Sequence, residues 1–337
     1  MISLFLFACV VFFSVWLSPG ISLQWPKWGQ SQQQEMGRLT LSEGIRVRTD
    51  VDSPRGDGRL PVNLDKLIAP RKDLDAEFSA PLSAASVIVV DNASNSVLFS
   101  KNMDEVRSMA SITKLMTALV FLDTSPEMTE YMVIAPSDVR EGSEYIVSGD
   151  RLRVRDVFNT MLIGSSNTAA VALARHTGIA PEEFVARMNQ KAKVLGLSQT
   201  VFAEPSGLDP ANVSTARELV SLTRYALSRE EIRGSAQRQA YTIYPAGDTT
   251  RNVATTNWLM TGQVRRVSDA EIVGGKTGYI DASGYNIAVT FSHNDHDITV
   301  VVLGCADVFA RYTESDLLAR WVYDHFTWES TSGESDS

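Results

Sequence analysis

Apolar runs predict β-strands near both ends of the central region of the chain. Four of these runs are short, rich in valine, isoleucine or phenylalanine, and bounded by polar residues, a pattern typical of strands. The polar stretch 91–96 separates the first two runs as in a β-hairpin, and residues 292–296 join the last two. A further strand is expected just before that last pair. The predicted strands cover residues 86–90, 97–100, 275–279, 285–291 and 297–303.

The region between these strands has the signals of helices. Pro181 is suited to the first turn of a helix that Gly196 ends, and Thr215 with Glu218 forms the pattern of a capping box. Strands first, helices in the middle and strands last predict an α+β domain, with a sheet assembled from both chain ends. The predicted helices cover residues 111–122, 154–162, 167–177, 181–195, 216–227 and 314–326.

The N-terminal part of the chain differs from this central domain. Residues 2–17 are apolar except for Ser3 and Ser14, and small residues follow, so residues 1–23 are predicted to be a signal peptide or an uncleaved membrane anchor. Either reading places the remainder of the chain outside the cytoplasm, in the periplasm or at the cell surface. Residues 24–79 are polar and rich in turn formers, which predicts a flexible linker. The folded domain is expected at 80–327, followed by a disordered tail at 328–337.

Composition and charge exclude several classes of function. Of the 337 residues, 44% are hydrophobic and 21% charged, and the net charge of −9 argues against a nucleic-acid-binding protein. The two cysteines, Cys9 and Cys305, lie almost at opposite ends, and no C-x-x-C spacing suggests a metal site. Cys305 closes an apolar run and is predicted to be a buried free thiol. We therefore expect no disulfide, metal or organic cofactor.

Ser111 and Lys114 form the first of three motifs that carry chemistry. On a helix, residues three apart share a face, so the serine hydroxyl and the lysine amine can meet. A serine is a weak nucleophile without a base, and a buried lysine can serve as that base because burial disfavours its charged form. Ser111 also lies at the expected helix start, where backbone amides can stabilise an oxyanion.

The other two motifs supply proton transfer and substrate recognition. Ser165 and Asn167 lie in a turn between helices, where the hydroxyl can relay a proton and the amide can hold a lysine or a substrate backbone. Lys276 and Thr277 can bind a carboxylate, and Gly278 lets an extended peptide approach the strand edge. The backbone amide of the next residue, Tyr279, is a candidate second oxyanion donor. Each motif alone also fits an ordinary polar turn or helix.

The three motifs in this order are typical of class A β-lactamases and penicillin-binding proteins. Over residues 80–327 the chain resembles the low-molecular-weight penicillin-binding proteins, the serine DD-peptidases of peptidoglycan. The stretches 110–118, 202–208, 212–219 and 256–260 also fit that family.

This resemblance implies a role for each motif residue and a β-lactamase/DD-peptidase-like fold with a five-stranded antiparallel sheet and a helical cluster. It implies Ser111 as nucleophile, Lys114 as its base, Ser165 as proton relay and Asn167 as positioning residue, with Lys276 and Thr277 for the substrate carboxylate. The implied substrate is the peptidoglycan stem peptide, cleaved as by a D-Ala-D-Ala carboxypeptidase. The implied inhibitors are β-lactams, which would acylate Ser111.

Several departures keep other functions open. Ser166 stands where carboxypeptidase members usually have glycine, and Thr256 stands where they often carry arginine, which Arg265 or Arg266 could replace. We expect no second β-rich domain or amphipathic C-terminal anchor after the folded domain, and in this the chain resembles the DD-endopeptidase subgroup. A class A-like β-lactamase would need a carboxylate for deacylation, for which Glu204 is the nearest candidate. A non-catalytic wall-binding protein is the remaining alternative.

Overall fold

A computed structural model of the chain describes residues 68–142, 145–247 and 249–329. Its main feature is an antiparallel five-stranded sheet in the order β10-β11-β12-β2-β3, in which strands from both ends of the domain pair directly. This order confirms the predicted α+β class and the sheet built from both chain ends. The strands are β1 (Arg71–Lys72), β2 (Ser86–Asp91), β3 (Val97–Lys101), β4 (Arg107–Ser108), β5 (Tyr131–Val133), β6 (Arg151–Arg153), β7 (Val213–Ser214), β8 (Ala240–Ile243), β9 (Arg251–Ala254), β10 (Glu271–Ile280), β11 (Gly284–His293), β12 (His296–Cys305) and β13 (Phe326–Thr327).

Helices cover both faces of this sheet. The helices are α1 (Lys114–Leu122), α2 (Val154–Ile163), α3 (Asn167–His176), α4 (Pro181–Val194), α5 (Ala216–Ser228), α6 (Glu230–Ala236) and α7 (Ala310–His325). Along β2, Ile88 and Val90 join the core beneath the helical cluster, whereas Val87 and Val89 join the core beneath α7. Because successive side chains point to opposite faces and both faces are buried, residues 87–90 of the strand form a continuous apolar run without a polar alternation.

The helices agree with the sequence except at a few ends. A 3-10 helix, Ala110–Thr113, precedes α1, so Ser111 lies on a tighter turn than predicted. The capping box at α5 forms only in part, because Thr215 caps the amide of Glu218 while the Glu218 carboxylate accepts hydrogen bonds from residues 198–200. The short helix α6 and the first turn of α7 were not predicted.

The folded domain extends beyond the predicted limits of 80 and 327. Strand β1 pairs with β13, and Phe78 packs edge-on against Phe99 and Trp321. Trp328 stacks on His296 and donates to Asp91. The polar composition of 70–79 concealed these contacts, since a few apolar side chains among polar ones carry no periodicity. The domain therefore includes part of the predicted linker and the first residues of the predicted tail.

The remaining predictions on the N-terminal segment, most of the linker and the rest of the tail lie outside the described residues. Across the part of the chain that the structure describes, no helix has the length and hydropathy to span a membrane. Within the same residues Cys305 is a free buried cysteine, as predicted, and burial raises the pKa of its thiol.

Candidate active site

Ser111 and Lys114 meet at the junction between the 3-10 helix and α1. The Lys114 amine donates to the Ser111 hydroxyl at 2.7 Å. Side chains three residues apart lie above one another on a 3-10 turn, which explains why this pair meets although Ser111 precedes α1. Lys114 is fully buried and Ser111 is partly exposed. A ligand can therefore reach the hydroxyl but not the amine behind it.

The Lys114 amine has two further acceptors from distant parts of the chain. Asn167 Oδ1 accepts at 2.7 Å and the backbone carbonyl of Ser206 at 2.5 Å. Burial lowers the pKa of Lys114 to about 7, and the negative charge of Glu204 opposes this shift. Close to neutral pH, Lys114 is thus able both to accept and to release a proton.

Ser165, Ser166 and Asn167 form the corner between α2 and α3. Ser165 has a positive φ of 59°, and its hydroxyl accepts a 2.8 Å hydrogen bond from the Lys276 amine. Asn167 holds Lys114 through its oxygen and donates from Nδ2 to the Glu141 carbonyl at 2.6 Å. The Ser166 hydroxyl caps α3 by accepting from the amide of Ala169, so this departure from the usual glycine has a structural role.

Lys276, Thr277 and Gly278 lie on β10, an edge strand of the sheet. Burial and the charges of Lys114 and Arg311 hold the pKa of Lys276 well below its ordinary value. The Thr277 hydroxyl lies 2.6 Å from that of Thr256.

Gly278 is tightly enclosed by the turn that carries Ser111. A Cβ at this position would lie 2.8 Å from the Met109 carbonyl oxygen and 3.0 Å from the Ser111 amide nitrogen. The absence of a side chain thus brings β10 against the Ser111 turn.

Tyr279 contributes its ring outside this group of residues. The exposed ring stacks on Tyr285 with centroids 4.2 Å apart, and the hydroxyl donates to Asp281 at 2.6 Å. That bond to a carboxylate is the main cause that raises the pKa of Tyr279 to about 12. The role predicted for its backbone amide stays a prediction.

The structure adds residues that the motifs did not reveal. Arg311 in α7 is buried, donates to the Gly278 carbonyl at 3.2 Å, and lies over the rings of Tyr285 and Tyr312. Arg266, considered from the sequence as a nearby cation, instead pairs with Asp316 at 3.0 Å. The Arg311 position follows from packing of α7 on the sheet, and no local pattern signals it.

Glu204 does not present a free carboxylate to Ser111. Both of its oxygens accept hydrogen bonds from its own loop, including those from the Ser206 amide and hydroxyl at 2.6 Å. This arrangement differs from the water-activating carboxylate that a class A-like β-lactamase requires. Within the described residues, no cluster of three or more histidine, cysteine, aspartate or glutamate side chains is arranged to hold a metal ion.

Comparison with known proteins identifies the family. The family described as D-alanyl-D-alanine carboxypeptidase, peptidase S11, matches residues 74–307. The chain belongs to the peptidase S11 family. The protein is thus a member of the low-molecular-weight penicillin-binding proteins, as the motifs predicted.

Relatives within the peptidase S11 family carry two kinds of name. The chain is 32% identical over 235 residues to the D-alanyl-D-alanine endopeptidase of Haemophilus influenzae, covering 69% of this chain and 78% of that protein. It is 29% identical over 267 residues to the D-alanyl-D-alanine carboxypeptidase DacC of Escherichia coli, covering 73% and 62%.

Solved structures agree with this assignment. The ampicillin-bound penicillin-binding protein D2 of Listeria monocytogenes is 27% identical, with a TM-score of 0.65 and coverage of 73% of this chain and 100% of that one. A mutant of the Streptomyces K15 DD-transpeptidase has a TM-score of 0.67 at 24% identity over the same shares, a likeness that concerns the fold alone.

Proposed function

We propose that this peptidase S11 member is a serine-type D-alanyl-D-alanine carboxypeptidase acting on peptidoglycan stem peptides through an acyl-enzyme on Ser111. The observation that supports it most directly is the buried Lys114 amine, 2.7 Å from the Ser111 hydroxyl. With its pKa lowered to about 7, Lys114 is largely neutral at slightly alkaline pH and can act as a base. The family to which the chain belongs carries the same activity in its description.

The reaction proceeds in two halves. Ser111 Oγ attacks the carbonyl carbon of the penultimate D-alanine while its proton passes to Lys114. The amides of Ser111 and Tyr279 stabilise the oxyanion. The C–N bond then breaks, and the proton that Lys114 received passes to the leaving amine through Ser165, whose hydroxyl proton is free to point away from Lys276 because the oxygen accepts from that lysine. Water next cleaves the ester and restores Ser111.

Recognition of the substrate carboxylate falls to Lys276 and Thr277. A bound carboxylate favours the charged form of a neighbouring amine, so it would raise the lowered pKa of Lys276 and become its counter-ion. The edge position of β10 allows a peptide to lie along Thr277 and Gly278 as an added strand. β-Lactams would enter the same position as substrate mimics.

A DD-endopeptidase activity on peptidoglycan cross-links is the second candidate. A pocket of about 450 Å³ opens beside Thr277 and is lined in part by Thr256, Trp258, Gln263 and Arg311. A small side chain at 256 leaves room for a leaving group larger than one D-alanine. Curated relatives named endopeptidases, with 30–32% identity, support this candidate further.

A covalent-labelling experiment tests the proposed chemistry. The full chain is incubated with a fluorescent penicillin beside Ser111→Ala and, as a matched control, Ser137→Ala, which changes an exposed serine. Intact mass should show one adduct on the wild type and on Ser137→Ala and none on Ser111→Ala. Fast penicillin hydrolysis without an adduct would favour a β-lactamase. A folded protein without adduct or hydrolysis would favour a wall-binding role.

The two cleavage specificities are separated with two substrates. A stem pentapeptide ending in D-Ala-D-Ala releases free D-alanine if the protein is a carboxypeptidase. A purified cross-linked dimer yields two monomers if it is an endopeptidase. Ser111→Ala should abolish whichever product the wild type forms.

We also propose that the enzyme works outside the cytoplasmic membrane, where its substrate lies. The apolar run at residues 2–17 supports export. Cell fractionation followed by mass analysis of the mature N-terminus distinguishes a cleaved signal from a retained anchor.

A further inference from the structure

Glu204 organises the loop that lies behind the catalytic lysine. The side chain is only partly exposed, and its two carboxylate oxygens collect six donors from the eight residues that follow it. Such convergent amides are typical of sites that hold an anion. The donors are the backbone amides of Ser206, Gly207, Leu208 and Asp209, the Ser206 hydroxyl and the Asn212 side-chain amide.

This loop contacts both members of the Ser111–Lys114 pair. The Ser206 carbonyl accepts from the Lys114 amine at 2.5 Å. Gly207, with a φ of +86°, packs so closely on the Ala110 carbonyl that any Cβ would collide with it. One turn further along α1, Thr117 donates to the Pro205 carbonyl at 2.6 Å. The position of the lysine amine therefore depends on the conformation that Glu204 holds.

An electrostatic interaction also connects Glu204 with Lys114. Lys114 is coupled electrostatically to two ionisable side chains: Glu204 from the loop and Lys276 from β10. Glu204 raises the pKa of Lys114 against the effect of burial, whereas the charge of Lys114 lowers the pKa of Lys276. A neutral residue at 204 would remove the attraction to Glu204 and leave the effect of burial, so the pKa of Lys114 would decrease further.

We propose, on the basis of the serine-peptidase function proposed above, that Glu204 is a positioning residue for acylation. Its carboxylate holds the Ser206 carbonyl against Lys114, and its negative charge favours the protonated form of that lysine. It takes no part in activating water, because both oxygens are occupied by its own loop. Substitution should therefore change both the rate of acylation and the dependence of that rate on pH.

The test is the second-order rate of acylation by a fluorescent penicillin, measured with the full chain from pH 5 to 9. The wild-type rate should rise with pH through about 7 as Lys114 loses its proton. In Glu204→Gln the negative charge is lost. The side-chain NH₂, which is itself a hydrogen-bond donor, faces backbone amides that also donate. We expect the limiting rate at high pH to fall about tenfold to a hundredfold, as for a small displacement of a catalytic group. We expect the midpoint to move to lower pH.

A lower limiting rate together with a lower pH midpoint would not result from loop disorder alone. The ratio of the wild-type acylation rate to that of Glu204→Gln should be largest at high pH and decrease as the pH falls. Glu204→Asp keeps the charge but shortens the side chain. Its acylation rate should therefore be lower than that of the wild type by the same factor at every pH, with an unchanged midpoint. This variant keeps the proposal testable if Glu204→Gln does not fold.

Glu218→Gln is the matched control. Glu218 also binds a neighbouring loop through its carboxylate, accepting from Gln199 and Thr200, but it makes no contact with Lys114. It should lower the melting temperature without moving the pH midpoint.

Four outcomes would each overturn the proposal. Two concern Glu204→Gln: an acylation rate equal to that of the wild type, or a rate lower by the same factor at every pH. The other two are a shifted pH midpoint in Glu204→Asp and an equal midpoint shift in Glu218→Gln. Absence of acylation in the wild type would instead contradict the proposed function itself.

Discussion

The site lies between two sides that are built in different ways. One is the strand side, residues 276–278 of β10, whose positions follow from the ladder that pairs β10 with β11. The other is the loop side, formed by Ser165, Asn167 and the Ser206 carbonyl, which hydrogen bonds from side chains hold in place. The strand side is one edge of the five-stranded sheet, whereas the loop side combines two segments about forty residues apart in the chain.

This difference determines how each side responds to substitution. On the strand side the backbone is fixed by its pairing with β11, so steric changes are transmitted directly to the Ser111 turn. On the loop side each polar contact is separate, so loss of one side chain should weaken the site stepwise. Four substitutions test this comparison, in order of expected effect.

Lys114 connects the loop side to Ser111, the proposed nucleophile. Lys114→Met keeps a long buried side chain but removes the base, and acylation should fall by about 10² to 10⁴-fold. The second-order rate with a fluorescent penicillin measures this. Lys191→Met is the control, since Lys191 pairs with Asp123 in α1's C-terminal region and should leave the rate unchanged. An unchanged rate in Lys114→Met would remove Lys114 from the proposed chemistry.

Gly278 tests the rigidity of the strand side. In Gly278→Ala the new methyl group meets backbone atoms of Met109 and Ser111. Because these atoms cannot rotate away, the Ser111 turn must move, and acylation should fall about a hundredfold. Gly234→Ala in α6, where a Cβ meets nothing within 4 Å, is the control and should leave acylation unchanged. Full activity in Gly278→Ala would mean that the strand side accommodates the methyl group without displacing Ser111.

Asn167 tests the stepwise behaviour of the loop side. Asn167→Ala removes one of three acceptors of Lys114 and a donor to the Glu141 carbonyl. The free energy of unfolding should decrease by about 1 to 3 kcal/mol, as when a buried polar group loses its partner. Acylation should decrease about tenfold, corresponding to about 1.4 kcal/mol.

Denaturant unfolding and acylation rates measure the two effects in Asn167→Ala. Asn159→Ala, which removes bonds to Arg155 and Ser235, should lower stability alone. If Asn167→Ala behaved in the same way, Asn167 would be a structural residue only.

Thr256 provides the smallest test. Thr256→Val removes the 2.6 Å hydrogen bond to Thr277, which lies behind the proposed carboxylate site. A net loss of about 1 kcal/mol predicts about a fivefold lower kcat/KM for D-alanine release. Thr290→Val removes the comparable 2.9 Å bond to Thr299 between β11 and β12 and should leave kcat/KM unchanged. Equal effects in both variants would indicate general loss of stability.

Much of the fold was predictable because the central strands of the sheet are buried on both faces. Ile88 and Val89 face opposite cores, so residues 87–90 of β2 are all apolar and are visible as a run. The short strands and α6 were missed because two to four residues, or seven, carry no measurable period. The start of the domain was placed too late because Phe78 is an isolated aromatic residue whose partners, Phe99 and Trp321, are distant in sequence.

The sequence by itself determined the chemistry that this protein has available. Ser111, Lys114, Ser165, Asn167 and Lys276 were recognisable because their spacing and order are local properties of the chain. Residue type also decided which groups can be nucleophile, base or cation, since that follows from the functional group.

Only the tertiary structure decided how those groups interact. The Ser206 carbonyl and Arg311 enter the site through loop and helix packing, and a backbone carbonyl has no identity in sequence. The pKa of about 7 for Lys114 likewise arises from burial and from Glu204, ninety residues further along the chain. Proton affinity depends on solvent exclusion and on distances between charges, and both exist only after the chain has folded.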